Sequence, residues 1–285
     1  MARIGDLLAE KRTLSFEFFP PKTPNATMQL GRAVGELEAL EPDFVSITYG
    51  AGGSDRHRTG EVVSWMRADT GLEPMAHLTC LGHTRTEVAG LLVEYRRRNV
   101  QNILALGGDP PADDTPARSD YTYALDLLED VSASGSFCVG VAAHPEVHPR
   151  SPSREIDRRH LADKLSIADF AITQFFFDVE HYVRLVDEMD ALGIDKPIVP
   201  GIMPVTNVKH VARMAEMSGA EVPGWLIDRL DRGSDPEQIR RIGIEIASEL
   251  CRSLLAAGAP GLHLYTLNQA ATAREIVVNL DLASV

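Results

Sequence analysis

Short apolar runs alternate with longer segments of helical periodicity along almost the entire chain. Each run has the length of a β-strand and is rich in β-branched or aromatic residues. Strands are predicted in the runs at 14–19, 44–50, 75–80, 102–108, 137–143, 170–177, 197–203 and 261–267. Because helical segments lie between these strands, we expect a parallel sheet with helices packed against it.

The segments between the strands carry the signals that mark the ends of helices. Helices are predicted at residues 27–40, 84–98, 180–192 and 236–257. Thr84 stands three positions before Glu87, which is the pattern of a capping box. Gly193 and Gly258 follow predicted helices as C-terminal caps, and Pro236 opens a helix at its first turn.

Eight strand–helix units predict a closed (β/α)8 TIM barrel of the α/β class, formed by residues 1–285 as a single domain. An open, doubly wound sheet is the alternative, but that fold expects a glycine fingerprint after its first strand. Here the first strand continues into the glycine-free segment FFPPKTP, which favours the barrel. Residues 205–235 are more than one connecting helix requires, and they predict an additional short helix.

The charge balance limits the classes of partner. With 28 Lys and Arg against 41 Asp and Glu, the 285 residues carry a formal net charge of −13. Binding the phosphates of nucleic acid or of an anionic membrane requires clustered cations, so neither partner is expected. An anionic small molecule remains open, because its site needs only a local cation or a helix N-terminus.

The sequence also predicts a cytoplasmic protein. No apolar run reaches about 18 residues, which predicts that no segment spans a membrane. The N-terminus lacks the apolar core of a secretion signal. Cys80, Cys138 and Cys251 fit no zinc-motif spacing, and an odd number of cysteines suits a reducing compartment.

The most informative polar residue is Glu17, which lies between phenylalanines inside the first strand, LSFEFF. In a barrel, the C-terminal ends of the strands and the loops after them build the active site. A carboxyl group buried among aromatic rings would have a raised pKa and would suit a general acid at neutral pH. Alternation alone leaves two other interpretations open, namely that Glu17 faces outward or that it pairs with a cation.

Other polar residues interrupt or end the apolar strands. Asp109 follows the fourth strand in LGGDPP, where it either contacts a ligand or caps a turn before proline. Gln174 lies in AITQFFFD and needs hydrogen-bonding partners if buried. His77 and Thr48 are similar intrusions, although a lone strand histidine is more often structural than catalytic. The glycines within residues 48–53 are a weak phosphate-loop signal.

The segment HPEVHP presents His144, Glu146 and His148 at spacings that invite a metal-site interpretation. Residues four apart align only on a helix, and the prolines at 145 and 149 disfavour a helix here. No metal site is therefore predicted. The chain also lacks a nucleophile elbow of the G-x-S-x-G type, so covalent acyl chemistry is not favoured.

Several motifs together resemble the methylenetetrahydrofolate reductase family. They are SFEFFPPK, FVSITYGAGG, HLTC, ILALGGDPP, AAHPEVHP, AITQFFFDVEHY, PGIMPVTN and LHLYTLN, and they extend over nearly the whole chain. The resemblance is to the short bacterial type, which consists of the catalytic barrel. It implies reduction of 5,10-methylenetetrahydrofolate to 5-methyltetrahydrofolate with NADH or NADPH, usually through bound FAD.

The resemblance also assigns roles to residues. Glu17 matches the acid that protonates the folate N10 atom, so that the methylene bridge opens to a 5-iminium cation that accepts hydride. Asp109 matches the acid that holds the pterin ring and stabilises this cation. Gln174 matches the amide that hydrogen-bonds the pterin. Met214 stands where the family can carry a phenylalanine that stacks on ligands.

The flavin-contact positions are only partly retained. Thr48, His77, Asp157 and Lys164 match the family pattern, and His144 stands where a tyrosine is common. Gly107 replaces an arginine, His160 replaces an amide, and Asp163 replaces a cation. Because the pyrophosphate of FAD favours donors and cations nearby, we predict that FAD binds weakly or not at all. Hydride would then pass directly from NADH or NADPH, with FAD-dependent transfer as the alternative.

Two rival functions remain open. A folate-dependent methyltransferase would need a corrinoid or a thiolate–zinc site, which the scattered cysteines do not supply. A catalytically inactive barrel that only binds folate would have little use for a buried acid at position 17. The expected partners are thus a folate and a nicotinamide dinucleotide, and assembly into a homo-oligomer is compatible with the sequence.

Overall fold

The computed structural model describes residues 2–49, 56–108 and 119–282. Its strands are β1 (Thr13–Phe18), β2 (Phe44–Ile47), β3 (Pro74–Thr79), β4 (Asn102–Leu106), β5 (Cys138–Ala143), β6 (Phe170–Thr173), β7 (Ile198–Val199), β8 (Gly201–Ile202) and β9 (Gly261–Tyr265). Its helices are α1 (Ile4–Glu10), α2 (Pro24–Glu38), α3 (Arg56–Asp69), α4 (Arg85–Arg97), α5 (Ala124–Ala133), α6 (Arg154–Leu165), α7 (Val179–Ala191), α8 (Val208–Ser218), α9 (Gly224–Leu230), α10 (Pro236–Ala256) and α11 (Ala270–Asn279).

The strands form one parallel sheet in the order β7-β6-β5-β4-β3-β2-β1-β9-β8. Only Pro200 separates β7 from β8, and these two short segments pair with β6 and β9 respectively. The sheet therefore closes through them into a barrel, which confirms the predicted (β/α)8 fold. Each predicted run contains strand, and the seventh is divided in two at Pro200, which has no N–H to donate.

The helix boundaries follow the signals read in the sequence. Thr84 and Glu87 form the predicted capping box at the start of α4, and Pro236 occupies the first turn of α10. Gly193 and Gly258 adopt positive φ angles of 78° and 89° after their helices, a conformation that glycine adopts without strain. Both α8 and α9 lie between β8 and α10, so the predicted additional helix is present.

The short helix α1, which was not predicted, packs against the N-terminal part of the barrel. Its buried residues Ile4 and Leu8 join the apolar cluster that contains Phe44, Phe170 and Val199. The Ile4 backbone N–H also donates to Asn102 Oδ1 of β4 at 2.9 Å. Helix α1 thus covers the end of the barrel where the strands begin. The active site is expected at the opposite end, where the strands terminate.

The side chains of β1 that face the barrel interior are polar. On β1, Leu14, Phe16 and Phe18 belong to the core cluster shared with the surrounding helices. Because side chains alternate along a strand, Ser15 and Glu17 point to the other face, into the barrel. Among the described residues, no helix is long and apolar enough to cross a membrane.

Candidate active site

Glu17 is the centre of a polar cluster inside the barrel. Its side chain is buried on β1, and its Oε2 atom lies 3.3 Å from Ser46 Oγ on β2. The same oxygen lies 3.4 Å from His77 Nε2 on β3 and 3.5 Å from His263 Nε2 on β9. Neighbouring strands thus converge on a single carboxylate, which resolves the orientation that alternation left open.

The surroundings of Glu17 differ from those expected from the flanking phenylalanines. Phe16 and Phe18 face the helical layer, so the carboxyl group contacts histidine and serine side chains instead. Burial alone raises the pKa of Glu17. The hydrogen bond from His263, the electrostatic effects of His77 and His263, and the hydrogen bond from Ser46 together outweigh burial, so the net pKa is lowered. The expectation of a raised pKa is therefore wrong.

His263 makes hydrogen-bond contacts through both of its ring nitrogens. Nδ1 lies 2.8 Å from Ser15 Oγ, whose hydroxyl donates to the Leu262 carbonyl. Nε2 lies 3.3 Å from Ser46 Oγ, whose hydroxyl donates to Glu17. His263 is thereby held between two serine hydroxyls beside the Glu17 carboxylate.

His77 belongs to the same cluster, but its imidazole ring is neutral at neutral pH. Burial lowers the pKa of His77 to about 4, although the nearby Glu17 charge opposes the shift. Its Nε2 atom approaches Glu17 without forming a hydrogen bond to any described residue. His77 was predicted to contact a cofactor, and the structure places it directly against the candidate acid.

Tyr265 was not predicted, and it packs beside this cluster. Its hydroxyl donates to the Thr173 carbonyl at 2.7 Å, and its ring makes an edge contact with His263, with ring centroids 5.5 Å apart. Glu17 and Tyr265 are register partners across β1 and β9, as are Ser15 and His263. The alternation of GLHLYTL places His263 and Tyr265 on one face, but only the strand pairing shows that this face meets Glu17.

The remaining predicted folate contacts are distributed around the barrel. Gln174 follows β6 directly, and its Oε1 atom accepts a hydrogen bond from the Phe175 N–H at 3.0 Å. Met214 lies on α8 and packs against the apolar cluster that contains Phe175. Asp109 and the glycines at 50, 52 and 53 lie outside the described residues. The roles assigned to Gln174, Met214 and Asp109 therefore remain predictions.

A second group of predicted residues gathers between β5, the loop after it and helix α6. Asp157 Oδ1 accepts from the His148 N–H at 3.2 Å, and the rings of His144 and His148 meet edge to face with centroids 4.5 Å apart. Lys164 Nζ donates to the Ala142 carbonyl at 2.7 Å. The structure therefore brings His144, Asp157 and Lys164 into one region, whereas Thr48 lies at the end of β2.

Arg158 holds the loop of residues 144–146 in place. Its guanidinium donates to the carbonyl oxygens of His144, Pro145 and Glu146 at 2.7–3.0 Å. It also forms ion pairs of 2.5 Å with Asp157 and Glu188. Because Arg158 is 4% exposed, this network fixes the loop from inside the protein.

Two of the predicted cofactor-contact residues near this loop make polar interactions within the protein. Asp157 is paired with Arg158, and the Lys164 ammonium is bonded to a backbone carbonyl. Burial lowers the pKa of Lys164 to about 8, with a smaller opposing effect from Asp157. The side chains of His160 and Asp163 are exposed on α6. The side chains of Asp157 and Lys164 therefore serve contacts within the protein.

Glu146 lies apart from His144 and His148 and belongs to a different group of side chains. Its carboxylate lies near His181 on α7 and Glu221 before α9, with ligand atoms within 4.8 Å of one another. His181 Nε2 is 3.9 Å from Glu146 Oε1, which also accepts from the Glu221 N–H. Because Glu146 already accepts a backbone N–H and the Glu221 side chain is exposed, we assign no metal to this group.

We expect His144 to make the protein less stable in mild acid. Burial, assisted by the neighbouring cations, lowers the pKa of His144 from 6.5 to about 3, so the folded protein excludes a proton that the unfolded chain binds below pH 6.5. The free energy of unfolding therefore decreases as the pH is lowered, and this group accounts for a decrease of about 2 kcal/mol at pH 5. His144→Phe should reduce this fall in urea unfolding curves. An unchanged pH slope would contradict the assignment, and His160→Phe at an exposed position of α6 is the matched control.

The closed parallel barrel, with a buried carboxylate near the C-terminal end of β1, has the features of a TIM-barrel enzyme. The model of the family Methylenetetrahydrofolate reductase matches residues 3–281, and the chain belongs to this family of oxidoreductases. A 5,10-methylenetetrahydrofolate reductase of Pectobacterium carotovorum subsp. carotovorum is 40% identical over 259 residues, which cover 90% of this chain and 86% of the relative.

More distant relatives agree with this assignment. A protein of Arabidopsis thaliana named methylenetetrahydrofolate reductase (NADH) 1 is 36% identical, and the match covers 94% of this chain and 48% of that protein. A solved structure from Clostridium thermocellum, described as an uncharacterized protein that binds two copies of 5-methyl-5,6,7,8-tetrahydrofolic acid, aligns with a TM-score of 0.67. It covers 99% of both chains at 14% identity, which supports the fold alone.

Proposed function

We propose that the chain reduces 5,10-methylenetetrahydrofolate to 5-methyltetrahydrofolate, with NADH or NADPH as the hydride donor. The observation that carries the proposal is the Glu17 carboxylate, buried near the C-terminal end of β1 with a hydrogen-bonded histidine beside it. This is an acid in the part of the barrel where substrates bind. The names of the relatives and the reduced folate bound in the same fold support the choice of substrate.

In the proposed reaction, Glu17 delivers a proton to the folate N10 atom. The N10–methylene bond then breaks with its electron pair on nitrogen, which leaves a 5-iminium cation. A hydride from C4 of the dihydronicotinamide adds to the methylene carbon, giving the methyl group and the oxidised dinucleotide. Asp109 is proposed to stabilise the cation electrostatically, and Gln174 to hydrogen-bond the pterin ring.

The proton that Glu17 delivers is proposed to come from His263. The Nε2 atom of His263 lies 3.5 Å from the carboxylate, close enough for a proton to pass between them. A pterin ring bound above Glu17 would exclude solvent and favour the neutral carboxylic acid. A proton moved from His263 to Glu17 would supply that acid form.

We propose further that hydride passes directly from the dinucleotide, without resident FAD. A resident cofactor held at about 1 nM binds more tightly by about 4 kcal/mol than a substrate at about 1 μM, which equals roughly two charge-assisted hydrogen bonds. The chain lacks an arginine at Gly107, and Lys164 is committed to the Ala142 carbonyl. The residues near the end of β5 therefore suit a dinucleotide that exchanges at each turnover.

This proposal predicts activity without flavin. The freshly purified protein should show no flavin absorbance in its visible spectrum, and it should oxidise NADH only when methylenetetrahydrofolate is present. Added FAD should leave the rate unchanged. Stoichiometric flavin, with activity lost when it is stripped and restored when it returns, would establish the FAD-dependent alternative instead. Absence of turnover with folate binding intact would favour the inactive folate-binding barrel.

A further inference from the structure

Arg150 occupies the loop between β5 and α6, at the rim of the barrel. Its backbone N–H donates to His148 Nδ1 at 3.0 Å, and the Ser151 N–H donates to the His148 carbonyl at 2.8 Å. These bonds fix the turn that carries Arg150. The Arg150 side chain is exposed, and its charged end faces solvent at the rim.

The guanidinium of Arg150 lies over the end of β4. Its Nη2 atom is 3.7 Å from the point where a Cβ atom of residue 107 would stand, and it is the nearest described heavy atom to that point. A Cβ atom at residue 107 would make an ordinary van der Waals contact with Arg150, so side chains at positions 107 and 150 would be neighbours at this rim. Gly108, by contrast, is held at a positive φ of 83° against Thr79.

Among the described residues of this region, Arg150 differs from the other arginines in having no carboxylate partner. Arg154 and Arg158 pair with Glu188, and Arg159 pairs with Glu155. Their charges are therefore already balanced within the protein. In a chain with a net charge of −13, an unbalanced guanidinium at the barrel rim attracts an anionic ligand.

We propose that Arg150 binds the pyrophosphate of the nicotinamide dinucleotide. The inference rests on the proposed function, which requires such a donor. Guanidinium groups match paired phosphate oxygens through two parallel hydrogen bonds. Arg150 lies between the ends of β4 and β5, across the ring of strands from Glu17 on β1. The pyrophosphate is separated from the nicotinamide by a ribose, so the dinucleotide can extend across the mouth while its nicotinamide meets the folate.

Direct binding measurements test the assignment without relying on turnover. Arg150→Gln should raise the dissociation constants of NADH and NADPH about tenfold, since a charge-assisted hydrogen bond is lost. The affinity for 5-methyltetrahydrofolate should stay unchanged, as should all three affinities in the control Arg159→Gln. In steady-state assays, the KM for NADH should rise while the KM for folate does not.

A second variant tests the position of the charge. Gly107→Arg, made in the Arg150→Gln background, should return at least part of the lost affinity for NADH. A double variant that binds NADH as weakly as Arg150→Gln contradicts the assignment. So does an Arg150→Gln variant with unchanged NADH affinity, with weaker folate binding alone, or with a loss confined to NADPH, which would indicate contact with the 2′-phosphate.

These outcomes separate the inference from the proposed function. If NADH binding responds to Arg150 as described but methylenetetrahydrofolate is never reduced, the site assignment holds and the reaction is wrong. If methylenetetrahydrofolate is reduced but Arg150→Gln leaves the dissociation constant of NADH unchanged, the proposed reaction is correct and the assignment of Arg150 is wrong.

Discussion

Glu17→Gln is expected to lower kcat for methylenetetrahydrofolate-dependent NADH oxidation by about 10²–10⁴-fold, the usual contribution of a positioned general acid. The amide retains the shape of the side chain and can still accept from Ser46, but it has no acidic proton to give to N10. Affinity for 5-methyltetrahydrofolate should change little, because the product needs no proton from this residue.

The Glu17→Gln result is interpretable only if the barrel stays folded. Circular dichroism and retained binding of 5-methyltetrahydrofolate provide that check. Glu36→Gln, at an exposed position of α2, is the matched control and should keep full activity. A Glu17→Gln enzyme with an unchanged rate would contradict the general-acid role, whatever the substrate.

Arg158→Met is expected to lower the free energy of unfolding by about 3–5 kcal/mol, because it leaves Asp157 without its buried partner. It also removes the donors to three consecutive carbonyl oxygens of residues 144–146. Methionine fills a similar volume, so the loss reports the hydrogen bonds and charges and not an empty cavity. Urea unfolding followed by circular dichroism measures the effect.

The neighbouring arginine provides the control for Arg158. Arg159 pairs with Glu155 one turn away on the surface of α6, and both side chains are exposed. Arg159→Met should cost less than about 1 kcal/mol, as is usual for surface ion pairs. Equal losses in the two variants would show that the internal network around Arg158 has no special importance for stability.

The barrel could be predicted from the sequence because its signals are local. Strand alternation, the Thr84–Glu87 capping box and the glycines after helices each depend on a few adjacent residues. The end of β6 shows the limit of such signals. Its apolar run continues to residue 177, but the strand ends at Thr173, since Phe175 and Phe177 pack with residues of α8 and α9.

The site could be predicted only in part because it depends on pairing between distant strands. Glu17 was a candidate, but its orientation and pKa depend on Ser46, His77 and His263, which lie on other strands. His263 is 246 residues away from Glu17, and no local pattern connects them. Arg150 likewise reaches Gly107 only through the order of β4 and β5 in the sheet.

The most direct test of the account follows the hydride. Methylenetetrahydrofolate is reduced with NADH that carries deuterium at both C4 positions, and the methyl group of the product is analysed by mass spectrometry. Direct transfer predicts one deuterium in each methyl group, in a preparation without flavin. A methyl group without deuterium would show that the hydride exchanges with water on a carrier, and would contradict the account.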